Sequence, residues 1–123
     1  MLTDEKLEDF RQSWRPTPEK VDLAVKTAIE VAHPSRVFIF GSWARGEVND
    51  SNDLDLAVLF PDDRNAELGE LRKELSCRLK DIRMSIDLIV ASEGYAAEFL
   101  SSVNSVYYKI LHQGKLVYDS GNR

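Results

Sequence analysis

The run Phe40-Gly41-Ser42-Trp43-Ala44-Arg45-Gly46 and, separated from Ser42 by ten residues, Asp53-Leu54-Asp55-Leu56 decide how this chain is read. Val37-Phe38-Ile39-Phe40 is β-branched and aromatic and halts at Gly41, as a strand does when it enters a tight turn. A Gly-Ser turn at a strand end offers backbone N–H groups to an anion such as phosphate. Asp53 and Asp55 stand at i and i+2 where the polar residues 47–52 give way to the apolar run Leu54 to Phe60. On a strand, both therefore point to one side.

The elements on either side are readable from their periodicity. Thr17 is a helix N-cap with Pro18 at the first helical position. Val21, Ala24, Val25, Ala28, Ile29 and Ala32 then recur at threes and fours until His33-Pro34, which predicts an amphipathic helix. Leu54 to Phe60, ended by Pro61, reads as a strand covered on both faces. Leu68, Leu71, Leu75, Leu79 and Ile82 mark a second helix, and 86–91 a third buried strand. A further helix is expected near 95–113, with Phe99, Leu100, Val103, Val106, Tyr107 and Ile110 as its stripe and Gly114 as its stop. Residues 42–46 suit one helical turn, and Leu116-Val117-Tyr118 a short edge strand. Ahead of these, residues 3–14 suit a short helix with Leu7, Phe10 and Trp14 on one face. The order helix, strand, strand, helix, strand, helix implies an α/β fold, a small sheet with helices packed on it. It does not give the strand order.

With 123 residues, 43% of them hydrophobic, the chain fits one domain over 1–123, with residues 1–16 as an N-terminal extension. The net charge of −5 supplies no basic field for nucleic acid. No run approaches the ~20 apolar residues that span a bilayer, and the polar start Met1-Leu2-Thr3-Asp4 is not that of a signal peptide. The single cysteine, Cys77, reads as an inert helix residue and suits a reducing compartment. A cytoplasmic protein is expected, in which the sequon Asn49-Asp50-Ser51 is idle.

A third carboxylate, Asp87, opens the run Asp87-Leu88-Ile89-Val90 as Asp53 and Asp55 open theirs. If the two strands are neighbours, three carboxylates converge at the mouth of the sheet. Like charges so placed raise one another's pKa, and Mg²⁺ relieves the repulsion while keeping water and phosphate oxygens in its shell. Each piece alone is commonplace. Asp-x-Asp near a turn often caps a loop, and Gly-Ser after a strand is usually only a turn. Arg45 can reach a phosphate or lie solvated. Trp43 is assigned to packing or a partner surface ahead of base stacking. His33 and His112 have no companion ligands and read as surface or capping residues. The joint placement favours a site for a metal-bound nucleoside triphosphate.

The composite of Gly-Ser, spacer, Asp-x-Asp and a later carboxylate resembles the nucleotidyltransferase superfamily of the DNA polymerase β type. Gly41-Ser42-Trp43-Ala44-Arg45-Gly46 in a short chain is similar to the minimal nucleotidyltransferases, including the MntA-type antitoxins paired with HEPN toxins. The resemblance spans the helix at 18–32 through the strand at 86–91. It implies the polymerase β-type fold, a small mixed sheet flanked by helices. It also implies that Gly41 and Ser42 grip the triphosphate of ATP, and that Asp53 and Asp55 bind two Mg²⁺ ions. Asp87 would complete the metal site, with help in deprotonating the acceptor hydroxyl as a further role open to it. Asn52 stands where many relatives have serine, at a position that is no ligand. The reaction implied is transfer of AMP to a hydroxyl on a partner protein, a HEPN toxin above all. Alternatives are a small-molecule acceptor, as for aminoglycoside nucleotidyltransferases, or a partner-binding module without catalysis. A template-using polymerase fits least.

Overall fold

The computed structural model of the chain describes Trp14, residues 16–47 and residues 53–121. All of the helix expected at 3–14 but its last residue, exposed Trp14, the sequon, Asn52 and all but the first residue of the loop expected at 47–52 lie outside the described residues.

Helix α1 is Pro18–Ala32. The Thr17 hydroxyl accepts the Lys20 N–H at 3.1 Å, and His33, left-handed at φ 49°, donates its N–H to Ile29 O at 3.0 Å. Strands β1 (Arg36–Phe40), β2 (Leu54–Phe60), β3 (Ile86–Ser92) and β4 (Lys115–Asp119) form one mixed sheet in the order β3-β2-β1-β4. β1 runs antiparallel to β2 and to β4, whereas β2 and β3 are parallel. A parallel pair needs a crossover. Helix α2 (Leu68–Leu79) supplies it, with 3₁₀ turns at Asp62–Glu67 and Lys80–Ile82 on either side.

The alternation along the strands splits the core in two. On one face Val37, Ile39, Leu54, Leu56, Val58, Phe60 and Val90 pack against α1 and α2. On the other Phe38, Phe40, Ala57, Leu59 and Ala91 pack against Ala96 and Ile110. β2 is buried on both faces from Leu56 to Phe60, as its unbroken apolar run requires. β3 departs from expectation. It lies at the sheet edge, so only Val90 to Ser92 are buried and its first half is half-covered or exposed.

The helix expected at 95–113 is two. Helix α3 is Glu93–Ala97 and helix α4 is Val106–Gln113. Between them Phe99, Leu100, Ser102 and Ser105 donate to carbonyls three residues back, a chain of tight turns in place of an α-helix. Ser101-Ser102 and Asn104-Ser105 are the cause, since their short polar side chains favour turns and caps over helix interiors. The Ser105 hydroxyl accepts the Tyr107 N–H at 3.1 Å and starts α4 afresh. Leu100 and Val103, expected in the stripe, are exposed, while Ile110 is fully buried. α3 is tied to β1 by Glu93, which accepts from Arg36 Nη2 at 2.6 Å and from the Ser35 hydroxyl at 2.7 Å. No helix among the described residues is long and apolar enough to cross a membrane.

Candidate active site

The pairing of β2 with both its neighbours sets one row across the sheet: Phe40 on β1, Asp55 on β2, Asp87 on β3. The two aspartates continue the face of Ala57 and Ile89, the face that α3 and α4 cover, and they sit where its apolar lining ends. Asp53 is exposed immediately before β2. Burial, and then the charges of Asp87 and Asp53, push the Asp55 carboxyl above its ordinary pKa, with Arg45 pulling the other way.

The turn after β1 comes equally close. Gly41 has φ +71°, and a Cβ there would overlap Asp55 Oδ2 and stand 3.1 Å from its Cγ. Only glycine lets the chain reverse against that carboxylate. The turn closes through Arg45 N to Ser42 O (3.1 Å), Gly46 N to Trp43 O (3.2 Å) and Glu47 N to Ser42 O (2.9 Å). The N–H groups of Ser42, Trp43 and Ala44 stay outside this bonding, the condition under which a turn can receive an anion. Trp43 and Ala44 pack against the core on the α1 side, which pins the turn and bears out the packing role of Trp43. Its indole Nε1 is buried with no hydrogen-bond partner among the described residues. Arg45 is exposed and held by Glu47, with Nη2 and Nε 3.0 and 3.1 Å from Oε2.

A cleft of about 480 Å³ brings these parts together. Gly41, Arg45, Asp55 and Asp87 line it from the sheet, and Val106, Lys109 and Gln113 from α4. Ser42, half-buried in the turn, and Asp53 are not among its lining residues. Lys109 and Gln113 are the residues that sequence reading missed. Set beside the stripe of Val106, Tyr107 and Ile110, they look like the solvated face of a helix, and only the packing of α4 on β1 sets these exposed side chains at the rim of the cleft. A larger cleft, about 530 Å³, lies toward the C-terminal ends of β2 and β3 and contains none of the expected site residues. His33 caps α1, and His112 Nε2 lies 2.9 Å from Leu100 O beside the Tyr108 ring, so both are surface or capping groups.

The donors suit a hard divalent cation. All are carboxylate oxygens, burial and then their mutual repulsion raise Asp55, and Gly41 leaves open the space at Oδ2. Among the described residues no three His, Cys, Asp or Glu side chains form a ready-made metal cage. Mg²⁺ needs none, because it is commonly held by one or two carboxylates, substrate phosphates and water.

The family model described as Polymerase beta, Nucleotidyltransferase matches residues 23–123. Among solved structures, one from Sulfolobus solfataricus, whose name marks it provisionally as a nucleotidyltransferase, has 21% sequence identity. That alignment covers 87% of this chain and 93% of the other, with a TM-score of 0.49. No curated protein matches the chain.

Proposed function

Because the chain belongs to the polymerase beta nucleotidyltransferase family, we propose that its cleft moves AMP from ATP to a hydroxyl on a partner protein. The observation that carries this reading is the cross-strand pair Asp55 and Asp87 against the Gly41 turn. It joins a metal-binding edge to a phosphate-binding turn within one cleft.

In the mechanism Gly41 and the N–H groups of Ser42, Trp43 and Ala44, which have no backbone partner among the described residues, receive the triphosphate, while Asp53 and Asp55 would hold two Mg²⁺ ions. Bound there, Mg²⁺ supplies charge neutralisation at the phosphates and lowers the pKa of a hydroxyl. The acceptor oxygen bonds to the α-phosphorus as the bond to the bridging α,β-oxygen breaks. Pyrophosphate leaves with that electron pair. Asp87, exposed at the mouth, takes the hydroxyl proton. No covalent enzyme intermediate is required, since positioning and electrostatics provide the rate.

A protein acceptor is supported by exposed Leu100 and Val103 on the connection into α4, apolar groups of the kind interfaces bury. The resemblance to antitoxins of HEPN toxins makes a tyrosine of such a toxin the preferred acceptor. Incubation with Mg²⁺, α-labelled ATP and a HEPN protein tests it. Label on a tyrosine, lost with Asp53→Asn or Asp55→Asn, is expected. Label confined to small molecules, or surviving those changes, would overturn it.

A further inference from the structure

The cleft has two walls, and only one is accounted for by the Gly-Ser turn and the carboxylates. The other is α4, whose Val106, Lys109 and Gln113 share a face at spacings of three and four. From Val106 to Gln113 that face runs about 10 Å, and Lys109 lies near its middle.

The position of α4 is fixed at both ends and underneath. Ser105 caps its start, and the Gly114 N–H closes its end on Ile110 O at 3.0 Å. Ile110, fully buried, seats it on Phe38 and Phe40. The chain then passes straight into β4, whose Lys115 pairs with Ile39, one residue before the end of β1. The helix is thereby held at the end of the sheet that carries Asp55 and Asp87.

Charge singles out Lys109. A triphosphate and the aspartates together carry more negative charge than two Mg²⁺ ions offset, so other groups of the protein must meet part of it. Two cationic side chains line the cleft, Arg45 and Lys109. Arg45 is engaged by Glu47 at 3.0 Å. The ammonium of Lys109 has no hydrogen-bond or ion-pair partner among the described residues, although it faces a cleft that contains two aspartates. A lysine held on an anchored helix, opposite a phosphate turn and without a carboxylate of its own, is placed to take anionic oxygen.

We infer that Lys109 binds the triphosphate from the α4 side, so that the nucleotide is held between the Gly41 turn and this helix. The inference rests on the nucleotidyl-transfer reading and adds to it the residue that distinguishes a triphosphate from a monophosphate. Lys109 is exposed on its helix, so its replacement leaves the core intact.

Calorimetric titration of the full chain in Mg²⁺ with ATP, ADP and AMP tests this, using the wild type, Lys109→Met and Lys109→Arg. The wild type should bind ATP at least about tenfold more tightly than AMP, the size of one charge-assisted contact. Lys109→Met should lose about tenfold or more for ATP, less for ADP, and stay within about twofold for AMP. Lys109→Arg should recover most of the ATP affinity. A Lys109→Met chain that binds ATP like the wild type overturns the inference and leaves the nucleotide site standing. So does one that loses ATP and AMP equally. A wild type that binds none of the three overturns the reading on which the inference rests, and the inference with it.

Discussion

A methyl group at residue 41 would take the place of Asp55 Oδ2, on a backbone whose φ of +71° already disfavours a side chain. Gly46 shares the strain, at φ +76°, but nothing stands within 4 Å of its would-be Cβ. The two glycines therefore separate strain from collision. Gly41→Ala and Gly46→Ala should each cost about 1–2 kcal/mol in urea unfolding. Only Gly41→Ala should also displace the carboxylate and lower transfer, on the order of 10²-fold. Equal loss of transfer in both would detach Gly41 from the site. Asp55→Asn should act in opposite directions on function and stability. It removes a charge that burial, and then Asp87 and Asp53, disfavour, so the metal-free protein should gain a few tenths of a kcal/mol by thermal unfolding, the scale of weakly coupled charges, while transfer disappears. These residues were legible in the sequence because their chemistry is local: a glycine at a strand end, aspartates at i and i+2. Lys109 was not, because nothing local distinguishes a cleft-facing lysine from a solvated one.

At the scale of the element, α4 shows what periodicity misses. Phe99, Leu100 and Val103 fall in step with Val106 and Ile110, yet the serines between them break the helix and leave Leu100 and Val103 outside the core. Hydrophobic spacing was read correctly, and the turn chemistry of Ser101-Ser102 and Asn104-Ser105 outweighed it. The helix that results is short, so its placement depends on a few contacts. Ile110→Ala should cost about 2–5 kcal/mol and loosen the wall that carries Lys109, raising KM for ATP more than it lowers kcat at temperatures where the fold persists. An unchanged KM would show that α4 does not help to bind the nucleotide. At Gly114 a Cβ would run into the Ile110 carbonyl, so Gly114→Ala should shift the same junction and move KM in the same direction.

For the molecule as a whole, the fold class was written in the alternation of helical and strand periods, and the crossover α2 in its leucines. The order β3-β2-β1-β4 was not, since pairing depends on which strands meet and no single strand records its neighbour. That order makes β2 central and sets Asp55 beside Asp87. It also puts the large α1–α2 core on the face away from the cleft. Leu75, fully buried in that core, should therefore report on stability alone: Leu75→Ala is expected to cost about 2–5 kcal/mol with kcat preserved well below its melting temperature. The central claim, nucleotidyl transfer at the aspartate cleft, is tested most directly by supplying ATP labelled at the α- or the γ-phosphorus, with Mg²⁺ and an acceptor extract. Incorporation of the α-label alone, release of the γ-label as pyrophosphate, and loss of both with Asp55→Asn are the predicted result. Incorporation of the γ-label, no incorporation of either, or α-labelling undiminished by Asp55→Asn would contradict it.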